Sequence, residues 1–113
     1  MPFSSQPVYL KLRDMIAAAI IDGTYPEGAL LPSVRVLAAE QGANPLTVAK
    51  AYQQFQLDGL VTVHRGVGMM VAPGAAMRLR EAGRARFLAD EWPVIRARMR
   101  RLGIVERDLL AEV

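Results

Sequence analysis

Few residues in this chain could carry a reaction. One histidine and no cysteine stand among its 113 residues, which leaves no thiolate metal site, no Cys–His pair and no disulfide. His64 sits beside Arg65 at the end of a strand-like run. It reads as a solvated or packing histidine, with a DNA-backbone contact as the alternative. Ser33 has no base near it in sequence, and helix capping accounts for its hydroxyl. No enzymatic activity, metal or cofactor is therefore expected. Another set of residues fits a different chemistry, the reading of nucleic-acid edges. In "NPLTVAKAYQQF", residues 44–55, Leu46 and the Thr47 methyl suit a thymine methyl, and the Thr47 hydroxyl suits a base edge or a phosphate. Lys50, one turn on, reaches a guanine edge or a phosphate. Arg35 and Arg65 add cations that phosphates attract.

These side chains need rigid supports, and the flanking sequence provides them. Asn44 is placed to cap a helix, and Pro45 takes the first helical position, where a missing N–H costs nothing. Val48, Ala51, Tyr52 and Phe55 make one inward face, and Gly59 ends the run. Ser33 caps a preceding helix that runs to Gln41 and stops at Gly42. Val36 stands where a capping box would want Glu or Gln, so that cap is half built. A first helix over residues 7–22 repeats Val8, Leu12, Met15, Ile16, Ala19 and Ile20 at helical spacing before Gly23. "TYPEG" is a turn and "ALL" a short extended piece before Pro32. After Gly59 the period changes to two. "LVTVHRGVGMMVA" is a β-hairpin whose tip holds Arg65, Gly66, Val67 and Gly68. Helix, helix, tight turn, helix, hairpin is the order of a winged helix-turn-helix, whose second turn-linked helix lies in the DNA major groove.

Pro73 and Gly74 close this head as a linker. Beyond them Ala85, Leu88, Trp92, Ile95, Met99 and Leu102 form a heptad-like apolar stripe. Pro93 should kink or restart that helix near Asp90, Gly103 stops it, and "IVERDLLAEV" makes a last short amphipathic helix. Fewer than forty residues cannot bury such a stripe well alone, so a second copy of the chain is its natural cover. The fold class expected is mainly α with a small β-hairpin: a winged helix-turn-helix over residues 1–74 and a short helical dimerisation tail over 75–113.

Composition agrees with a folded domain plus an appendage: 52% hydrophobic and 22% charged residues are a globular balance. The net charge of +3 and pI near 9.8 permit nucleic-acid binding. Lysine and arginine cancel aspartate and glutamate through residue 74, and the whole surplus is arginine in the tail. Placement of Arg35, Lys50 and Arg65 must therefore do in the head what bulk charge does not. No apolar run is long enough for a membrane span and no signal peptide is visible. With no cysteine, a cytoplasmic location is expected.

The stretch "LPSVRVLAAEQGANPLTVAKAYQQFQLDGLVTVHRGVGMMVA" resembles the DNA-binding domain of GntR-type bacterial transcription regulators. "NPLTVAKAY", "RRLGIVERDLL" and the short helical tail are most similar to the YtrA-like subfamily. "LPSVR", "NPLTVAKAY", "DGL" and "HRGVG" fall in the family's order and spacing. The resemblance implies a homodimeric cytoplasmic regulator, usually a repressor, bound to a double-stranded operator. It carries DNA contacts to Ser33, Arg35, Asn44, Thr47, Lys50, Arg65, Gly66 and Gly68. Departures lie in the wing: Val67 replaces a frequent basic residue, and Met69 and Met70 replace Thr-Phe. Together with the neutral head they motivate an alternative, a winged-helix interaction module that has lost DNA binding. The tail is too small to enclose a usual ligand pocket within one chain, and the sequence names no effector.

Overall fold

The computed structural model describes residues 7–110. The N-terminal segment 1–6 and the end of the last predicted helix, 111–113, lie outside the described residues. Those up to Leu79 form one compact unit and those from Arg80 onward a second.

In the first unit, α1 (Val8–Asp22), α2 (Val34–Gln41) and α3 (Pro45–Leu57) carry the core. Helices α1 and α2 both pack on α3. Leu12, Ile16 and Ile20 of α1 meet Leu37 and Ala38 of α2 and Val48, Ala51, Tyr52 and Phe55 of α3, all buried. The predicted inward face of α3 is therefore the observed one. Val8 is the exception on α1, being 63% exposed. At about 100° per residue it stands about 80° around the helix from Ile16, whereas Tyr9 falls on the core side and packs against the cluster. Gly23 and Gly42 end α1 and α2 in the left-handed conformation, as the sequence led one to expect.

The hairpin pairs β1 (Val61–His64) with β2 (Gly68–Val71), in register Val61 with Val71 and His64 with Gly68. Gly66 takes φ +77° in the turn, closed by the Val67 N–H donating to the His64 carbonyl at 2.9 Å. The "ALL" segment adds to the far edge of β2. Leu30 bridges Met70, the Leu31 N–H donates to Met69 O at 2.8 Å, and Val71 N–H to Ala29 O at 2.9 Å. This fastens the segment leading into α2 to the wing.

Helix α4 (Ala75–Arg86) follows the hairpin. In the second unit a π-helical turn, Phe87–Glu91, leads into α5 (Trp92–Leu102), and α6 (Glu106–Leu109) comes last. The break expected near Asp90 takes this form: the Trp92 N–H donates five residues back, to the Phe87 carbonyl. Pro93 has no N–H, and its ring crowds the carbonyl four residues earlier, so the preceding turn widens instead of closing normally. Gly103 ends α5 at φ +71°. The Val105 N–H donates to Asp108 Oδ2 at 2.8 Å, capping α6.

Candidate nucleic-acid interface

Helix α3 starts as rigidly as its sequence implies. Asn44 Oδ1 accepts from the Leu46 N–H at 2.8 Å, and Pro45 occupies the first turn. Leu46 is 78% exposed. Thr47 is half-buried and Lys50 exposed. The Lys50 ammonium lies 4.8 Å from the centre of the Tyr9 ring, a cation–π contact that holds this side chain against α1.

At the start of α2, Ser33 Oγ accepts from the Val36 N–H at 3.2 Å, so capping is its role in the free chain. Arg35 is exposed in the first turn. Behind them the Tyr52 hydroxyl donates to the Pro32 carbonyl at 2.6 Å. Burial, and secondarily Tyr25 and Glu40, push the ionisation of this phenol well above the usual tyrosine range. Tyr52 thus stays a donor, and it ties the segment before α2 to the middle of α3.

At the wing, His64 Nε2 and Thr62 Oγ1 are 2.8 Å apart on one strand face. Arg65, Gly66, Val67 and Gly68 are all exposed. Neither Arg35 nor Arg65 has an ion-pair partner among the described residues. Ser33, Ala49, Gln53, Val67 and Gly68 line one cleft of about 550 Å³, so the start of α2, the middle of α3 and the wing tip share a boundary. No group of three or more metal-ligating side chains occurs among the described residues.

In the tail, Trp92 and Met99 are half-buried, while Leu88, Ile95 and Leu102 are 45%, 38% and 63% exposed. No residue of α5 is buried.

Two supports escaped the sequence reading. Arg78, counted there with the tail's surplus charge, donates to the Asp58 and Gly59 carbonyls at 2.8 and 3.2 Å and closes the end of α3. No local pattern marks it, because its partners are about twenty residues away. Tyr9 could have been found, since helical spacing places it on the core side of α1.

A three-helix core with a reading helix and a β-wing defines the winged helix-turn-helix class. Residues 8–71 match the family of bacterial regulatory proteins described as gntR, and the chain belongs to that family. The family is one of regulators, not of enzymes. The chain is 36% identical over 80 residues to the HTH-type transcriptional repressor YtrA of Bacillus subtilis, covering 71% of this chain and 62% of that one. It thus spans about three-fifths of that relative's length. A GntR family transcriptional regulator from Listeria monocytogenes superposes with a TM-score of 0.72 at 28% identity, covering 95% of this chain and 92% of that one. YtrA from Sulfolobus acidocaldarius, a GntR-family transcription factor, gives 0.58 at 32%, covering 78% and 93%. No helix among the described residues is long and apolar enough to cross a membrane.

Proposed function

We propose that this protein is a cytoplasmic, sequence-specific DNA-binding repressor that acts as a homodimer on an inverted-repeat operator. The observation that carries the reading is the first two turns of α3. They are fixed by Asn44 and Pro45 and carry exposed Leu46 and Lys50 with a half-buried Thr47 between them, next to a capped α2 bearing Arg35. Thr47 and Lys50 read bases, with Leu46 against a thymine methyl. Ser33, Arg35 and Asn44 position the backbone, and Arg65, Gly66 and Gly68 bring the wing to it, with His64 at its edge. The relatives support repression: a matched protein is named a repressor. Dimerisation through Leu88, Trp92, Ile95, Met99 and Leu102 is proposed for the tail, residues 75–113, with DNA binding assigned to residues 1–74.

Binding of Thr47→Ala, Lys50→Ala and Arg35→Ala variants to a panel of single-base operator changes, across a salt series, tests the assignment. The first two should lose discrimination at particular positions, by about 1–3 kcal/mol where a base contact goes. Arg35→Ala should weaken all sequences evenly and lower the salt slope by roughly 1. An even loss for Lys50→Ala would make it a phosphate clamp. Trp92→Ala with Met99→Ala in the full chain should shift sedimentation towards monomer and weaken operator binding through lost avidity. A dimer unaffected by the pair would refute the tail assignment. The interaction-module reading is favoured by one feature, Val67, which is 63% exposed at the wing tip. No effect on DNA from any of these head variants would make it the better account.

A further inference from the structure

The cleft between α3 and the wing has a lining unlike a surface built for phosphates. Leu31 and Met69 contribute apolar surface, Val67 stands on the wing side, and Ala49, Gln53 and Gln56 form the α3 side. No Asp, Glu, Lys or Arg side chain lines it. The nearby cation of α3, Lys50, is held instead against Tyr9. The lining itself therefore supplies no counter-charge to an anion. The carboxamides of Gln53 and Gln56 have no protein hydrogen-bond partner among the described residues, and each offers two donors and an acceptor. Ser33 Oγ accepts from Val36, which leaves its hydroxyl hydrogen to donate. The volume, about 550 Å³, falls in the roughly 300–1,000 Å³ range of small-molecule sites, which combine apolar walls with a few convergent polar groups.

We propose that this cleft binds an uncharged aromatic or alicyclic small molecule carrying a carbonyl or hydroxyl edge, and that its occupancy opposes DNA binding. The apolar body lies against Leu31, Val67 and Met69, and the polar edge meets the two carboxamides. Opposition follows from shared residues: Ser33 and Gly68 line the cleft and are assigned to DNA above. That second half rests on the DNA-binding reading; the first half does not. By linkage, each partner weakens the other to the same extent.

The test uses the full chain and benzamide as a neutral probe, with benzoate and inorganic phosphate as charged controls. Proton–nitrogen correlation spectra follow the Gly68 amide and the Gln53 and Gln56 side-chain amides. Benzamide should shift these signals saturably in the millimolar range, and benzoate and phosphate should not. Ala49→Phe, which fills the cleft from α3, should abolish the shifts, and Gln53→Leu, a gentler change, should weaken them. Absence of saturation, equal shifts with benzoate, or shifts surviving Ala49→Phe would overturn the site. The same samples are titrated with duplex DNA from upstream of the protein's own gene. Benzamide at its own Kd should raise the apparent DNA Kd about fourfold, twofold for each of the two heads that must be free to engage the operator. Benzamide saturation with unchanged DNA affinity overturns the opposition. DNA binding without a benzamide site overturns this inference and leaves the proposed function standing. A benzamide site without DNA binding does the reverse.

Discussion

Replacing Tyr52 by Phe removes one oxygen and leaves the buried ring in place. The lost bond is the 2.6 Å hydroxyl contact to the Pro32 carbonyl. An intramolecular hydrogen bond contributes about 0.5–1.5 kcal/mol net, and a stranded buried acceptor costs about 1–3 kcal/mol. Pro32 is half-buried, so water can partly replace the donor, and a loss of about 1–1.5 kcal/mol at pH 7 is expected. The phenol supplies a second signature. Its ionisation is raised in the folded chain, so it keeps its proton where the unfolded chain, titrating near 10, gives it up. Stability from this group is complete below that unfolded value and declines as pH rises through and beyond it. At pH 11 the unfolded state gains about 1.4 kcal/mol from ionising this one tyrosine. The advantage of wild type over Tyr52→Phe should therefore be largely gone there. Urea unfolding of both proteins at pH 7, 9, 10 and 11 measures it, and every other titrating group cancels in the difference. Equal midpoints at pH 7 would show that the bond contributes nothing. A gap that fails to narrow by pH 11 would show that burial does not hold the proton.

Arg78→Met keeps the aliphatic stem but loses both carbonyl contacts; because the site is exposed, a cost of about 1 kcal/mol is expected, read by urea unfolding. Ile16, fully buried on the core side of α1, should lose about 2–5 kcal/mol as Ile16→Ala; thermal unfolding checks this, and a loss below 1 kcal/mol would place Ile16 outside the core. A double-mutant cycle of Tyr9→Leu with Lys50→Met should give a coupling of about 0.5–1 kcal/mol for the ring contact. Additive single changes would mean that the ammonium does not rest on the ring in solution.

What could be read from the sequence was local. Asn44 and Pro45 act on the backbone groups immediately after them, so the start of α3 was legible, and so was its inward face through the 3.6-residue period. Glycines announced the hairpin turn and the helix ends. Pairings between distant segments were not legible: Leu30 with Met70, Tyr52 with Pro32, and Arg78 with Asp58 and Gly59. No neighbouring residue encodes such a pairing; the fold creates it. Val8 shows a smaller failure. A row of fourth residues drifts around a helix, so the first member of the row is carried off the core while Tyr9 is carried onto it. Lys50 was visible as an exposed cation, but its resting place on Tyr9 depends on how α1 and α3 pack.

The π-helical turn at Phe87–Glu91 holds one residue more than an ordinary turn needs. It works as a splice: the surplus residue is taken up within the turn, and the helix on either side faces as it would if that residue had never been inserted. Phe87, 39% exposed, therefore stands near the line of Trp92, and Ala85 leaves the stripe that simple counting gave it. Deleting one residue within 87–91 would close the turn as regular helix without rotating the flanking faces. Pro93 would then meet a carbonyl it now avoids. The surplus residue and the proline are a matched pair, and a change in the length of the tail at this point is tolerated only when both are altered together.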